Sequence, residues 1–386
     1  MSVKQLFIIG AGASNGAKHV NEQMKPPLTT ELANIFNYDC IQLTHSPDGK
    51  PIKIWFKDLL ERINPKKNDI EELFTVLFIL KFLIKIRNRN YPDKEKIPEI
   101  LAMLDFDQKK ILNTEADQYK EIERYKKILN YFLENPKAFF LLGPATIEDV
   151  YSVCLRDYIY NSITNNFCEY HSLLFSNLTD DDAVVSFNYD LICDFTLYRI
   201  GKLTQSSFDG LGFRHVIIFN NENSVKERGV KFLHIHGAFN WWFGSIQRNY
   251  DNINYILDSQ VCPFTGPRNS PYPIILPIKH KQIIYESISI YKRHVDMFLK
   301  LIEESTIIYL VGKTFENSDY ELFALIQERS KKLPKELYII DKILDDPIRK
   351  DDFIKNHEKL FNARFVKGWI DLAQYSELNK NNKSIH

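Results

Sequence analysis

Three short stretches of the chain hold the residue types that could carry chemistry. Ala183-Val184-Val185-Ser186 reads as a short buried strand that runs out into Phe187-Asn188-Tyr189-Asp190. Asn188 offers a donor and an acceptor and Asp190 offers acceptors and negative charge, so the pair can serve one cavity. The same two residues could instead cap the helix read over Leu191 to Ile200. In Lys231-Phe232-Leu233-His234-Ile235-His236-Gly237 a strand ends in a turn, and alternation places both histidines on one face. Such a pair suits a metal, but no third ligand of convincing spacing follows, so no metal site is expected. His236, where strand meets glycine, is a candidate general base, because an imidazole titrates near neutral pH. His234 reads as structural. Leu6-Phe7-Ile8-Ile9 is a strand apolar on both faces and ends in Gly10-Ala11-Gly12-Ala13-Ser14-Asn15-Gly16. Small residues there let a ligand approach the backbone and let successive amides cradle phosphate, although a merely tight turn explains them equally well. The spacing departs from the dinucleotide Gly-x-Gly-x-x-Gly fingerprint, since position 15 is Asn and the third glycine is Gly16.

The elements that must position these residues follow an α/β rhythm. Further strands are expected at Ile274 to Ile278, Thr306 to Val311, Leu337 to Ile340 (ending in Asp341) and Arg364 to Val366. Helices are expected at Tyr285 to Glu304 and Tyr320 to Lys331. Strands alternating with helices imply a parallel, doubly wound sheet. After the first strand, Pro26 and Pro27 stiffen a loop, and Thr29 or Thr30 can cap a helix through Phe36. Residues 49–180 differ in character: apolar residues recur at helical spacing in Ile70 to Ile86, Ile97 to Leu104, Tyr119 to Phe132 and Ile147 to Phe167. The expected organisation is an α/β domain made of residues 1–48 and 181–370, a helical insertion at 49–180 and a tail at 371–386. The nearly all-apolar Ile70 to Ile86 segment requires a partner, within the fold or from another subunit.

Composition narrows the class. Forty-four per cent hydrophobic residues over 386 positions indicate a packed globular chain. Lys plus Arg and Asp plus Glu both number 50, so no overall basic field draws in nucleic acid or acidic lipid. The cysteines, Cys40, Cys154, Cys168, Cys193 and Cys262, are scattered and form no Cys-x-x-Cys pair, which supports neither a disulfide framework nor a zinc knuckle. The chain opens directly into a strand, and its most apolar run, Leu73 to Leu80, is cut by Lys81 and Lys85. A cytoplasmic protein that neither spans nor anchors to a membrane is expected.

Taken in order, Gly10-Ala11-Gly12-Ala13-Ser14, Ser186-Phe187-Asn188-Tyr189-Asp190 and Leu233-His234-Ile235-His236-Gly237 resemble the signature blocks of the sirtuin superfamily. The likeness is greatest to the bacterial sirtuin-like proteins of anti-phage defence. Those share the Phe-Asn-Tyr-Asp form, an Asn-Trp after His-Gly (Asn240-Trp241 here) and a late Val-Gly-x-x-Phe, matched by Val311 to Phe315 with Asp319 beyond. The Pro-Pro-Leu-Thr-x-Glu-Leu run at 26–32 is similar as well.

The resemblance implies a Rossmann-like sheet that binds NAD as substrate. Gly10, Ala11, Gly12 and Ser14 would line the cofactor loop, and Gly237 belongs to the His-Gly block. Asn188 would position the nicotinamide ribose and a water, Asp190 would contact the carboxamide, and His236 would be the base. Gly312 and Phe315 would meet ribose and phosphates from the other side, with Asp341 near the adenosine. Deacylating members carry a four-cysteine zinc module after the His-Gly block, whereas Trp241 to Pro273 contains only Cys262. Their Gly-Ile-Pro-Asp-Phe-Arg run is also missing after Ser14. Hydrolysis of NAD to nicotinamide and ADP-ribose is therefore the expected activity, ahead of protein deacylation or ligand sensing without turnover. By analogy with the defence proteins, control by homo-oligomerisation or by a HerA-type ATPase or Argonaute-like partner is expected.

Overall fold

A computed structural model of the chain describes residues 4–16, 27, 73–74, 140–142, 145–163, 168–219, 228–244, 250–258, 273–276, 281–315, 319–371 and 374–375. Its centre is a six-stranded, all-parallel sheet built from β1 (Gln5–Ile9), β4 (Ala183–Ser186), β6 (Lys231–His234), β9 (Ile307–Val311), β10 (Lys335–Ile340) and β11 (Ala363–Trp369). The remaining strands are a short hairpin, β2 (Phe140–Leu142) with β3 (Ala145–Thr146), and β5 (His215–Phe219), β7 (Trp241–Phe243) and β8 (Ile253–Asp258), which form a three-stranded sheet of their own.

Across the large sheet the order is β11-β10-β9-β1-β4-β6. The chain fills the sheet outward from β1 in one direction, then returns to β1 and fills it the other way. The reversal falls between β1 and β9. Parallel strands need crossovers, and helices supply them: α4 (Ile192–Arg199) follows β4, α5 (Gln282–Ser287) and α6 (Ser289–Glu304) precede β9, α7 (Tyr320–Ser330) follows it, and α8 (Lys350–Phe361) precedes β11. Earlier in the chain α1 (Ala11–Asn15), α2 (Ile147–Ser162) and α3 (Glu169–Phe175) lie between β1 and β4.

The strand sequences explain their burial. Leu6, Ile8 and Ile9 are fully buried, as are Ala183, Val184 and Val185 on the neighbouring strand, as expected where both sheet faces are covered. Each such Leu or Ile contributes about 1.5–3 kcal/mol through area removed from water. One face carries an aromatic ladder across four strands. Tyr309 stacks on Phe7 at 4.3 Å and on Tyr338 at 4.9 Å, and Tyr338 stacks on Trp369 at 6.0 Å between ring centroids. In α6 the buried side chains Tyr291, His294, Val295, Phe298 and Ile302 recur at helical spacing and form its inner face.

Register determines what the fold presents at one edge. Ile9 is level with Ser186 and Val311, Ser186 with His234, and Val311 with Ile340. The residues immediately beyond these strand ends, from Gly10 and Asn188 to His236, Gly312 and Asp341, therefore share the carboxyl edge of the sheet.

Several sequence expectations are corrected. Ile274 to Leu276 is not a strand. Its single backbone bond to the β6 turn is Ile275 N to His236 O at 2.7 Å, and two tyrosine hydroxyls occupy carbonyls a ladder would need: Tyr189 donates to Ile275 O at 2.5 Å and Tyr291 to Pro273 O at 2.8 Å. The helix expected over Tyr285 to Glu304 is two helices, broken at Ile288, whose backbone is extended. The sheet of β5, β8 and β7 has no counterpart among the expected elements. Between β1 and β4, α2 agrees with the helical spacing from Ile147, and Leu73 and Phe74 are helical and fully buried, Phe74 packing on Tyr151 at 4.6 Å. The helices expected through Phe36, at Ile97 to Leu104 and at Tyr119 to Phe132, and the tail beyond 375, lie outside the described residues. Among the described residues no helix is long and apolar enough to cross a membrane.

Gly312 supplies a direct test of the junction. Its φ is +56°, and a Cβ would stand 2.7 Å from Gly12 Cα and press into the Ala13 amide. Gly210 has φ +80° but open space around it. Gly210→Ala should cost about 1–3 kcal/mol, the strain of a left-handed non-glycine residue. Gly312→Ala should cost clearly more, because strain and overlap add; urea unfolding of both variants measures the difference, and equal losses would show that backbone approach is not limiting.

Candidate functional site

The edge between β1 and β9 is closed by two backbone turns in contact. Gly10 N donates to Val311 O at 2.9 Å, Gly12 N to Gly312 O at 3.0 Å, and Gly312 N to Ile340 O at 2.8 Å. A Cβ on Gly10 would stand 2.7 Å from Lys313 Cα. Glycine is thus required by the approach of the two turns. The amides of Gly10 and Gly12 are spent within the protein, as is that of Ala13, which donates to Gly10 O at 2.9 Å. The tight-turn explanation of the first block accounts for these three amides, and a phosphate cradle there has correspondingly fewer donors.

Asn188 joins β4 to this junction. Its Nδ2 donates to Gly10 O at 3.0 Å and to Ser14 Oγ at 2.8 Å. Both amide hydrogens are committed, so only Oδ1 can address a ligand. Neither residue is the N-cap of α4, the other reading of the pair: that position is Leu191, with no side-chain cap bond, while Asp190 Oδ1 accepts from Ile192 N at 3.1 Å in an Asx turn that leads into the helix. Burial pushes the Asp190 carboxyl up from the ordinary carboxylate range, against the hydrogen bonds from Ser14 and Ile192.

His234 and His236 diverge, because β6 ends at His234 and the chain bends after it. His234 Nδ1 faces Asn188 O at 3.3 Å and its Nε2 faces Asp194 Oδ2 at 3.1 Å. Asp194 is fully buried and also accepts from Tyr255 Oη at 2.7 Å and Asn240 Nδ2 at 3.1 Å. This network ties β8 and the Asn-Trp turn to α4, so His234 and Asn240 have structural work. With both His234 nitrogens engaged, the histidine pair is not arranged as metal ligands, and no group of three metal-binding side chains occurs among the described residues.

His236 occupies a different environment. Nδ1 lies 3.2 Å from Phe187 O, which fixes it as the N–H donor. Nε2 is buried, makes no hydrogen bond, and lies 3.3 Å from Asp319 Oδ1 without alignment for one. Asp319 is itself 3% exposed and accepts from Lys281 Nζ at 3.0 Å and from Lys313 Nζ. Burial pushes the Asp319 carboxyl up, but Lys281, Lys313 and the ring of His236 outweigh it and hold it well below the usual range. Burial and then the Lys281 charge pull His236 down to about 4, against Asp319. At neutral pH the ring is therefore an uncharged imidazole with a lone pair on Nε2. Phe187 packs edge-on to His236 at 5.3 Å and to Phe315 at 5.5 Å, with Lys313 Nζ 4.5 Å above its ring centroid.

Gly10, Gly12, Ser14, Asn188, Asp190 and Gly312 are thus joined by direct contacts, His236 and Phe315 meet this group through Phe187, and Ala11 opens the short helix between Gly10 and Gly12. Gly237 shapes the turn: its φ is +77° and a Cβ would lie 2.5 Å from Pro273 O. Asp341 follows β10 on the same edge, but its carboxylate caps the next turn, accepting from Ile343 N at 2.9 Å. Sequence reasoning gives no role to Lys281, Lys313, Asp319 or Asp194. Asp319 stands out only as the acid beyond Val311 to Phe315, whereas Lys281 lies in the basic run 279–281, where nothing in the spacing sets it apart. No family model and no curated protein matches the chain.

Buried histidines make a pH prediction. Burial lowers His171 to about 4 and His294 to about 3, as it helps lower His236 to about 4. The folded state then binds fewer of these protons than the unfolded state between about pH 6.5 and 4. Stability rises with pH across that window and is lost on acidification. Asp190 has the opposite sign but carries one proton against three. In His171→Leu the slope of unfolding free energy between pH 6.5 and 4 should fall by up to about 1.4 kcal/mol per pH unit; an unchanged slope would show that His171 does not titrate on unfolding.

Proposed function

We propose that the chain is an NAD hydrolase that releases nicotinamide and ADP-ribose, of the sirtuin-like type found in anti-phage defence. The observation that carries this reading is the convergence of Gly10, Gly312, Asn188 and His236 on one sheet edge, where the strand order reverses between β1 and β9. That order is Rossmann-like, and open sheets of this kind bind nucleotides outside the carboxyl ends of their strands at the reversal.

In this reading the glycosidic bond between ribose C1′ and the nicotinamide nitrogen breaks with its electron pair leaving on nicotinamide. A water oxygen bonds to C1′, and the proton it loses passes to the Nε2 lone pair of His236. Asn188 Oδ1 supports the positive character of the ribose and orients the water, and Asp190, whose carboxyl burial pushes up from the ordinary range, addresses the nicotinamide carboxamide. An enzyme that consumes NAD must be restrained in a healthy cell. Assembly with further copies of itself, or with an ATPase or Argonaute-like partner, is the proposed restraint, and depletion of NAD on infection the proposed outcome.

The test is chromatography of NAD incubated with the purified protein, alone and with candidate partners. Nicotinamide and ADP-ribose should form in equal amounts without any peptide, and His236→Ala should lose at least about a hundredfold in rate. Release of nicotinamide that requires an acyl-lysine peptide would make the protein a deacylase, and binding without turnover would make it a sensor. Asn188→Ala is the less decisive variant, because it also removes the two bonds that join β4 to the first glycine turn.

A further inference from the structure

The structure holds a buried ionic cluster beside His236 that the proposed reaction has not used. Asp319 lies at the start of α7, Lys313 follows the Gly312 turn, and Lys281 precedes α5. Three separate segments thus place charges around one imidazole, at the expense of dehydrating all three. Fold stability alone does not call for such a group, since an apolar trio of similar volume is as stable or more so.

We infer that Asp319 is a positioning residue for His236, holding a fixed negative charge against Nε2 so that the imidazolium formed on proton uptake is stabilised, with Lys281 and Lys313 setting its strength. The geometry supports each step. Nδ1–H is committed to Phe187 O, so an incoming proton can go only to Nε2. Nε2 lies 3.3 Å from Asp319 Oδ1, close enough for the carboxylate charge to stabilise a protonated ring through space in a buried setting. The lysines keep that carboxylate ionised and unable to take the proton itself. Among the described residues, the charged and titratable groups around the ring are Asp319, Lys281, Lys313 and the phenol of Tyr189, whose ring lies 6.2 Å away and whose hydroxyl donates to Ile275 O. The inference rests on the NAD hydrolase reading for its catalytic consequence, but the electrostatic relation exists whether or not NAD is the substrate.

The experiment reads both. The His236 ring is titrated by NMR in the full-length protein, assigned by its loss in His236→Gln, and NAD turnover is followed against pH. Asp319→Asn should move the titration of His236 to lower pH and slow turnover roughly ten- to hundredfold. Lys313→Met should move it to higher pH, together with the acid limb of turnover. Asp319→Asn/Lys313→Met, which removes one charge of each sign, should return the titration toward the wild-type position. Shifts of opposite sign in the two single variants support the inference. An unmoved ring in Asp319→Asn overturns it; if that variant does not fold, an unmoved ring in Lys313→Met does so. Opposite titration shifts in a protein that never releases nicotinamide would uphold the pairing and reject the hydrolase reading.

Discussion

The architecture of the site depends on two backbone turns that touch. With Gly12 N bonded to Gly312 O at 3.0 Å and no room for a Cβ on either side, β1 and β9 stay adjacent past their last paired residues. Everything on the carboxyl edge is measured from that contact. Asn188 reaches it from β4 through Gly10 O, and Lys313 leaves it toward Asp319 and so toward His236. A side chain at position 10, 12 or 312 would separate the strands at the point where the chain changes direction across the sheet.

Around this junction the protein buries three carboxylates and stabilises each differently. Asp190 accepts from Ile192 N in the turn before α4, and burial pushes its carboxyl up from the ordinary range. Asp194 is surrounded by the hydroxyl of Tyr255, the amide of Asn240 and the ring of His234, and so joins the small sheet to the large one. Asp319 is held ionised by two lysines. A buried carboxylate must be protonated, fully hydrogen-bonded or paired. The one paired with two lysines, Asp319, lies beside the candidate base.

The strands of the large sheet were legible in the sequence because they are short apolar runs ending in Gly, Asn or Asp. Leu6 to Ile9, Ala183 to Ser186, Ile307 to Val311 and Leu337 to Ile340 have few other ways to bury their side chains. The alignment of Gly10, Asn188, His236 and Gly312 followed from those ends. What was not legible depends on contacts between distant segments. Ile253 to Asp258 mixes Asn and Asp among its strand-forming residues, and the complete burial of Tyr255 depends on its hydroxyl finding Asp194. Ile274 to Leu276 carries a strand-like pattern, yet tyrosine hydroxyls take the carbonyls of Ile275 and of Pro273 just before it. Lys281 and Asp319 are 38 residues apart, and no local pattern announces an ion pair at that separation.

If the chain is an NAD hydrolase as proposed, a dinucleotide binds at the carboxyl edge between β1 and β9, with its nicotinamide end toward residues 188 and 236. A crystal structure of the protein soaked with a non-hydrolysable NAD analogue tests this most directly. Density running from the Gly10 and Gly312 turns to Asn188, with the nicotinamide ribose beside His236, is the result expected of an NAD hydrolase. Density seated elsewhere, such as in the roughly 430 Å³ cavity lined by Asp209, Phe213 and Arg214, would contradict it.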